Sequence, residues 1–317
     1  MAMTDLSSRR QTFPELLQIV ALVSAQNPLQ RKRIEGFIAA QDEDYWTFAE
    51  DLSRTLNHAL LHNEREQFEA ARSYNRMCMD ILREQIRFRK TGVYLIEDAN
   101  VARETVYAQT EIMRYYITGL LLSYLFWPNH YQMFRFFKEH LASVQVSHCL
   151  EVGAGHGLFT AEVMRRFPNL EMTLLDISET SINLAREMII AFQLEPQRVQ
   201  FIQNDFLTTT LPEGGFDFIV MGEVLEHVND AAPFLTQARR GLADGGTIFL
   251  STCVNCPAID HIYRFYTVDE IRGLVRSAGL TILRELAMPA ENVPESRWQE
   301  ELVTINYCAI LTPGGTL

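Results

Sequence analysis

No run of about twenty apolar residues occurs in the 317-residue chain, so no membrane-spanning helix is expected. The most apolar stretch, YYITGLLLSYLFW (115–127), is too short and reads as a buried helix. The opening residues MAMTDLSSRRQTF have no apolar core of a secretory signal, which makes the cytoplasm the expected location. An excess of cations is also missing: 28 Lys and Arg stand against 40 Asp and Glu, a net charge of -12. Such a balance argues against binding nucleic acid, and against docking on acidic proteins such as acyl carriers. Cysteine is scarce and odd in number, at positions 78, 149, 253, 256 and 308. A chain of this length needs no disulfides, so a reducing compartment is expected. Cys253 and Cys256 form one C-x-x-C with no second pair, and they read as small packed hydrophobes rather than a zinc clip.

Strand patterns are absent from the first 130 residues, which read as a series of helices. FPELLQIVALVSAQ, NPLQRKRIEGFIAAQ and DEDYWTFAEDLSRTLNHALLHN are separated by breaks such as Asn27-Pro28. REQFEAARSYNRMCMDILREQIRFRK stops at Thr91-Gly92. NVARETVYAQTEIMRYYITGLLLSYLFW is predicted as one long helix ended by Pro128, with HYQMFRFFKEHL after it. From residue 146 strands and helices alternate. VSHCLEV, EMTLLDI, VQFIQNDF, FDFIVMG and GGTIFLSTCV read as strands, the first, second, fourth and fifth followed by helical segments. LTILRELAMP and TINYCAILT follow with no helix between them. The reading is an α/β fold with a mostly parallel sheet and a terminal antiparallel hairpin, preceded by an all-α region. The domains are predicted as 1–130 and 131–317.

The stretch HCLEVGAGHGLFTAEV (148–163) places three glycines, Gly153, Gly155 and Gly157, between a strand and a helix. Strand, glycine turn and helix open a nucleotide-binding unit. A dinucleotide fingerprint would need glycine or alanine where Leu158 stands. Neither Lys nor Arg lies near the turn, and Glu151 sits at its mouth, where it would repel a pyrophosphate but could oppose a sulfonium or an ammonium. The second strand ends in Asp176, placed to accept from ribose hydroxyls. The third ends in Asn204, Asp205 and Phe206, an acid beside an aromatic suited to an adenine.

With LEVGAGHG, LLDIS, QNDF and MGEVLEH in order, residues 146–312 resemble the class I S-adenosylmethionine-dependent methyltransferases. The resemblance implies a seven-stranded sheet and S-adenosylmethionine as cofactor, leaving S-adenosylhomocysteine as product. It puts Gly153, Gly155 and Gly157 against the methionine part with Glu151 nearby. It also puts Asp176 on the ribose, Ile177 against the adenine, and Asp205 and Phe206 around that base. By analogy, the N-terminal helices form a lid over a small-molecule acceptor, and they also offer a face for a homodimer.

Acceptor-side residues are expected after the fourth strand (Glu223, Glu226, His227) and in the loop after the fifth (Asn255, Asp260, His261, Tyr263). A hydroxyl acceptor needs a base, and His261, His227 and Glu223 are the candidates. An amine, thiol or carbon acceptor would need positioning alone. Glu223, Glu226, His227 and His261 also form a possible metal set, a pattern that looks like that of small-RNA 2'-O-methyltransferases, although no metal is the primary expectation. Tyr115 and Tyr116 are adjacent, so one of them is expected to line the acceptor pocket. His58 and His62 read as solvated. The non-catalytic alternative is a cofactor-binding interaction module.

Overall fold

The computed structural model describes residues 6–314. Its first half is helical. Pro14 and Pro28 each occupy the first turn of a helix, where a missing N–H costs nothing, and they start α1 (Pro14–Gln26) and α2 (Pro28–Ala39). The carboxylate of Asp42 accepts from the Tyr45 N–H at 2.9 Å and caps α3 (Glu43–Thr55). Asn63 caps α4 (Glu64–Thr91) in the same way, and Gly92, at φ 75°, closes its far end.

The helix predicted over residues 100–127 is instead broken in two. A short α5 (Ala99–Ala102), capped by Asp98, runs into a π turn over Arg103–Tyr107, and α6 (Thr110–Phe126) starts afresh after extended Gln109. The Gln109 side chain bonds back to the Glu104 carbonyl at 3.0 Å. The wide turn buries Val106 and swings Tyr107 inward. Propensity alone does not show such a break, because the interior is what rewards it.

Helix α7 (Pro128–Leu141) leads into the sheet. Strands and helices then follow as β1 (His148–Val152), α8 (Leu158–Arg166), β2 (Glu171–Asp176), α9 (Glu179–Ala191), β3 (Val199–Gln203) and β4 (Phe216–Gly222). They continue as α10 (Ala232–Gly241), β5 (Leu242–Val254), α11 (Val268–Ser277), β6 (Leu280–Pro289) and β7 (Ile305–Pro313). The seven strands lie in the order β3-β2-β1-β4-β5-β7-β6. Only β7 runs against its neighbours, with Ser251 opposite Cys308 on β5 and Leu286 opposite Cys308 on β6. This is the mostly parallel sheet with an antiparallel hairpin that the strand pattern predicts.

One apolar cluster joins the helices to one face of the sheet. Phe137 of α7 meets Phe249 at 5.0 Å and Phe159 at 4.8 Å, and the cluster continues through Tyr45 and Trp46 to Leu16. Each such aromatic contributes on the order of 2–3 kcal/mol by burial. Helices α10 and α11 cover the other face. The order reverses between β1 and β4, and in open parallel sheets that edge is where a crevice forms. Among the described residues no helix is long and apolar enough to cross a membrane.

Candidate active site

The turn after β1 is built from backbone that side chains disfavour. Gly153, Gly155 and Gly157 have φ of 81°, 48° and 74°. A Cβ on Gly153 would stand 2.8 Å from Val224 Cγ2, so the loops after β1 and β4 close on each other there. Gly153 and Gly155 line a cavity of about 720 Å³. Gly157 does not line it. A Cβ there would lie 2.7 Å from Ala185 Cα, so its smallness lets α8 pack on α9.

Carboxylates set the turn. Asp176 accepts from the Ala154 N–H and the Ser178 N–H, both at 2.7 Å, and so ties the glycine turn to the end of β2. Burial pushes its carboxyl up, while the amides of Ser178, Ala154 and Gly155 oppose that rise. Its oxygens keep further lone pairs for a ligand in the cavity it lines. Glu151 is 1% exposed, and burial raises its carboxyl to about 8 against a hydrogen bond from the Thr160 hydroxyl. Asp205, Phe206 and Ile177 line the same cavity, with the Phe206 ring 5.4 Å from Phe234.

The two loops that carry histidine are held together through backbone. The Glu226 carbonyl accepts from the Ile262 and Tyr263 N–H groups at 2.8 and 2.9 Å. That clamp sets the rings of His227 and His261 perpendicular, with centroids 4.7 Å apart. His227 Nδ1 lies 2.9 Å from the Tyr107 hydroxyl, 3.2 Å from the Asp260 carbonyl and 3.5 Å from the Asp260 carboxylate. These oxygens assign the proton to Nδ1 and leave Nε2 as the free lone pair. His261 Nδ1 donates to the Cys256 carbonyl at 2.6 Å. Burial works against charge on His261, yet Cys256 beside it holds the imidazolium up to about 10. The Cys256 thiol in turn is held down by a hydrogen bond from Cys253, against burial, and then by His261. So the C-x-x-C, read as passive packing, touches the site.

Glu223 and Glu226 each bury a carboxylate oxygen that has no partner. The other Glu226 oxygen accepts from Thr252 at 2.7 Å. Burial, then the charge of Glu226, pushes the Glu223 carboxyl well up. Donor atoms of Glu226, His227 and His261 lie within 4.8 Å of one another, as do those of Glu223, Glu226 and Cys253. The four residues named as a metal set are thus neighbours, but a thiol intrudes on the acidic side.

Tyr116 lines the cavity, but Tyr115 turns away, bonding Asp80 at 3.0 Å with the Arg76 guanidinium 3.7 Å over its ring. Asn255 stays out of the cavity. It sits at φ 48° and braces its loop, accepting from Arg264 Nε at 3.0 Å and, through its carbonyl, from Thr304 at 2.7 Å. Tyr263 packs on Phe265 at 4.8 Å and does not reach the cavity either. His58 is exposed and paired with Glu15. Sequence reasoning misses Tyr107, which was read as one position in a long helix. It also misses His130 and His156, which flank Tyr124 in the cavity wall at 5.4 and 5.1 Å. A histidine inside the glycine turn was the available signal for His156.

Comparison with known proteins bears on this geometry. A family model described as "Methyltransferase domain" matches residues 150–248. An uncharacterised methyltransferase of Mycobacterium tuberculosis is 31% identical over 105 residues, 33% of this chain and 50% of that protein. The chain spans half or less of the length of the first curated relatives it matches. The N-methyltransferase NodS of Bradyrhizobium japonicum, solved with S-adenosyl-L-homocysteine, superposes with a TM-score of 0.44 at 18% identity, over 59% of this chain and 89% of that one. A ubiquinone biosynthesis O-methyltransferase of Albidiferax ferrireducens is 30% identical over 188 residues, 53% of this chain and 73% of the relative. On that likeness, and on the motifs now seen around one cavity, the chain belongs to the class I S-adenosylmethionine-dependent methyltransferases.

Proposed function

We propose that this protein transfers a methyl group from S-adenosylmethionine to a hydroxyl of a small molecule held under the N-terminal helices. The observation that carries this reading is one continuous cavity. It is lined by the glycine turn, by Asp176 and Asp205, and also by Tyr107, Tyr116 and His227. In the proposed arrangement Asp176 takes the ribose, Ile177, Asp205 and Phe206 take the adenine, and Glu151 faces the cationic methionine end. The acceptor oxygen lies between the sulfonium and His227 Nε2. Its proton would pass to Nε2 as its lone pair takes the methyl group, which the bound cofactor would supply by loss of its C–S bond, leaving S-adenosylhomocysteine. Asp260 and Tyr107 hold the ring and stabilise the imidazolium. Named O-methyltransferases among the relatives support an oxygen acceptor.

The unpartnered Glu226 oxygen beside His227 and His261 favours a second reading, in which these residues hold a divalent cation. Such an ion would lower the pKa of the acceptor hydroxyl.

Titration calorimetry with S-adenosylmethionine, followed by incubation of methyl-labelled cofactor with small-molecule extracts, tests the methyl-transfer reading. No binding at millimolar cofactor would end the proposal. Label on nitrogen, sulfur or carbon would replace the base by positioning alone.

A further inference from the structure

The carboxylic acids and the arginines of the cavity wall are segregated. Residues 151–306 contribute Glu151, Asp176, Asp205, Glu223, Asp230 and Asp260 to its wall and no Lys or Arg, though burial holds Glu151 and Glu223 towards the neutral acid and His261 adds an imidazolium. Residues 30–127 contribute Arg33 and Arg103, and no acid. Shortage of acids is not the reason, because seventeen Asp and Glu lie within residues 1–130. Those acids point elsewhere, several into ion pairs on the outer helix faces, such as Glu35 with Arg31 and Glu84 with Arg87. An acidic wall suits the cationic cofactor. The arginines of the helical part suit an anion.

The two arginines are not equivalent. Arg103 belongs to the segment that docks on the loop after β4, where the Ala99 N–H bonds Asn229 next to Asp230. Arg33 has no acid in its part of the wall. It lies one turn from Gln30 on α2 and faces the α4 stripe Cys78, Ile81, Leu82 and Gln85, spaced for one helix face. Among the described residues neither Arg33 nor Arg103 forms an ion pair, although Arg31 does, and Arg103 differs in lying on the segment docked beside Asp230.

Resting on the methyl-transfer reading above, we infer that the acceptor is an amphipathic small molecule bearing a carboxylate. Its carboxylate docks on Arg33 and its apolar body lies along Ile81, Leu82 and Trp127. A guanidinium offers a planar fork that matches a carboxylate, and the amides of Gln30 and Gln85 can complete it. One guanidinium and two neutral amides fit a monoanion better than a phosphate dianion.

The test uses the full chain and methyl-labelled S-adenosylmethionine. A small-molecule extract is split on an anion exchanger at neutral pH, and each fraction is assayed for labelled product, with and without prior phosphatase treatment. Product is expected only from the retained fraction, unaffected by phosphatase. Arg33→Gln should raise KM for that fraction at least about tenfold and leave the cofactor KM within about twofold. Arg33→Lys should fall between, and the exposed position should leave the melting temperature of both variants unchanged. Product from the unretained fraction, or its loss after phosphatase treatment, would overturn the inference. So would an Arg33→Gln effect confined to the cofactor KM, since the guanidinium would then hold the cofactor's own carboxylate. Cofactor binding with product from no fraction would sink the methyl-transfer reading, and this inference with it.

Discussion

Tyr107 and His227 are 120 positions apart in sequence, yet the Tyr107 hydroxyl lies 2.9 Å from His227 Nδ1. The contact joins the N-terminal helical region to the loop after β4. Its partner on the other side is Asp260, from the loop after β5. If His227 is the base, His227→Ala should lower kcat by about 10²–10⁴. Tyr107→Phe removes one of several bonds to the ring and should cost about tenfold. Both variants should bind the cofactor as the parent does. Calorimetry beside steady-state kinetics checks this, and wild-type kcat in His227→Ala would remove the assignment.

Asp176 accepts from the Ala154 N–H of the glycine turn and from the Ser178 N–H of its own loop, and it lines the cavity. Asp176→Ala should weaken S-adenosylmethionine binding by about 1.5–3 kcal/mol, the scale of charge-assisted hydrogen bonds. Unchanged affinity in a folded variant would remove Asp176 from the cofactor site.

The Glu151 carboxyl has an ordinary value of 4.5 and is raised by burial to about 8. The folded state therefore binds the proton more tightly than the unfolded one. This stability contribution is complete below about 4.5 and is lost as pH rises through about 8. The melting temperature of the cofactor-free protein should carry a downward component across that window, and Glu151→Gln should remove it. A bound sulfonium favours the carboxylate, so cofactor binding should release a proton below about pH 8 and tighten as pH rises towards it. Identical pH profiles for the parent and Glu151→Gln would refute both statements.

Gly155 and Gly157 share left-handed backbone but differ in surroundings. A Cβ on Gly155 meets nothing within 4 Å, whereas one on Gly157 strikes the Ala185 backbone at 2.7 Å. Gly155→Ala should cost about 1 kcal/mol of stability, from backbone strain. Gly157→Ala adds overpacking, and should cost a further 1–3 kcal/mol or so. Denaturant melts would show the order, and equal losses would contradict the packing role of Gly157.

If Glu226, His227 and His261 hold a divalent ion, exhaustive chelation should lower methyl transfer without changing cofactor affinity, and Mn²⁺ or Zn²⁺ should restore it. Activity that resists chelation, from protein shown by elemental analysis to be metal-free, would leave His227 as an unassisted base.

Much of the fold can be read directly from the sequence. Strand runs such as CLEV and FIVM need both faces buried, and the helices between them carry one apolar face, so a covered parallel sheet is their only economical packing. Glycines 153, 155 and 157, Asp176 and Asp205 stand at strand ends, and strand ends of a parallel sheet share one edge. Local pattern therefore placed Gly153, Gly155, Asp176 and Asp205 together around one cavity. The acceptor side is different, because its residues come from distant loops and turn on single rotations of the backbone. Tyr115 and Tyr116 have the same composition and neighbours, and only the packing of α6 against α4 sends one outward to Asp80 and the other inward. Tyr107 enters the site through a π turn that has no local signature. Asn255 and Tyr263 lie in the expected loop, but their side chains are used to brace it. The division of charge within the cavity is likewise tertiary, since the sequence counts acids but only helix orientation decides which of them face inward.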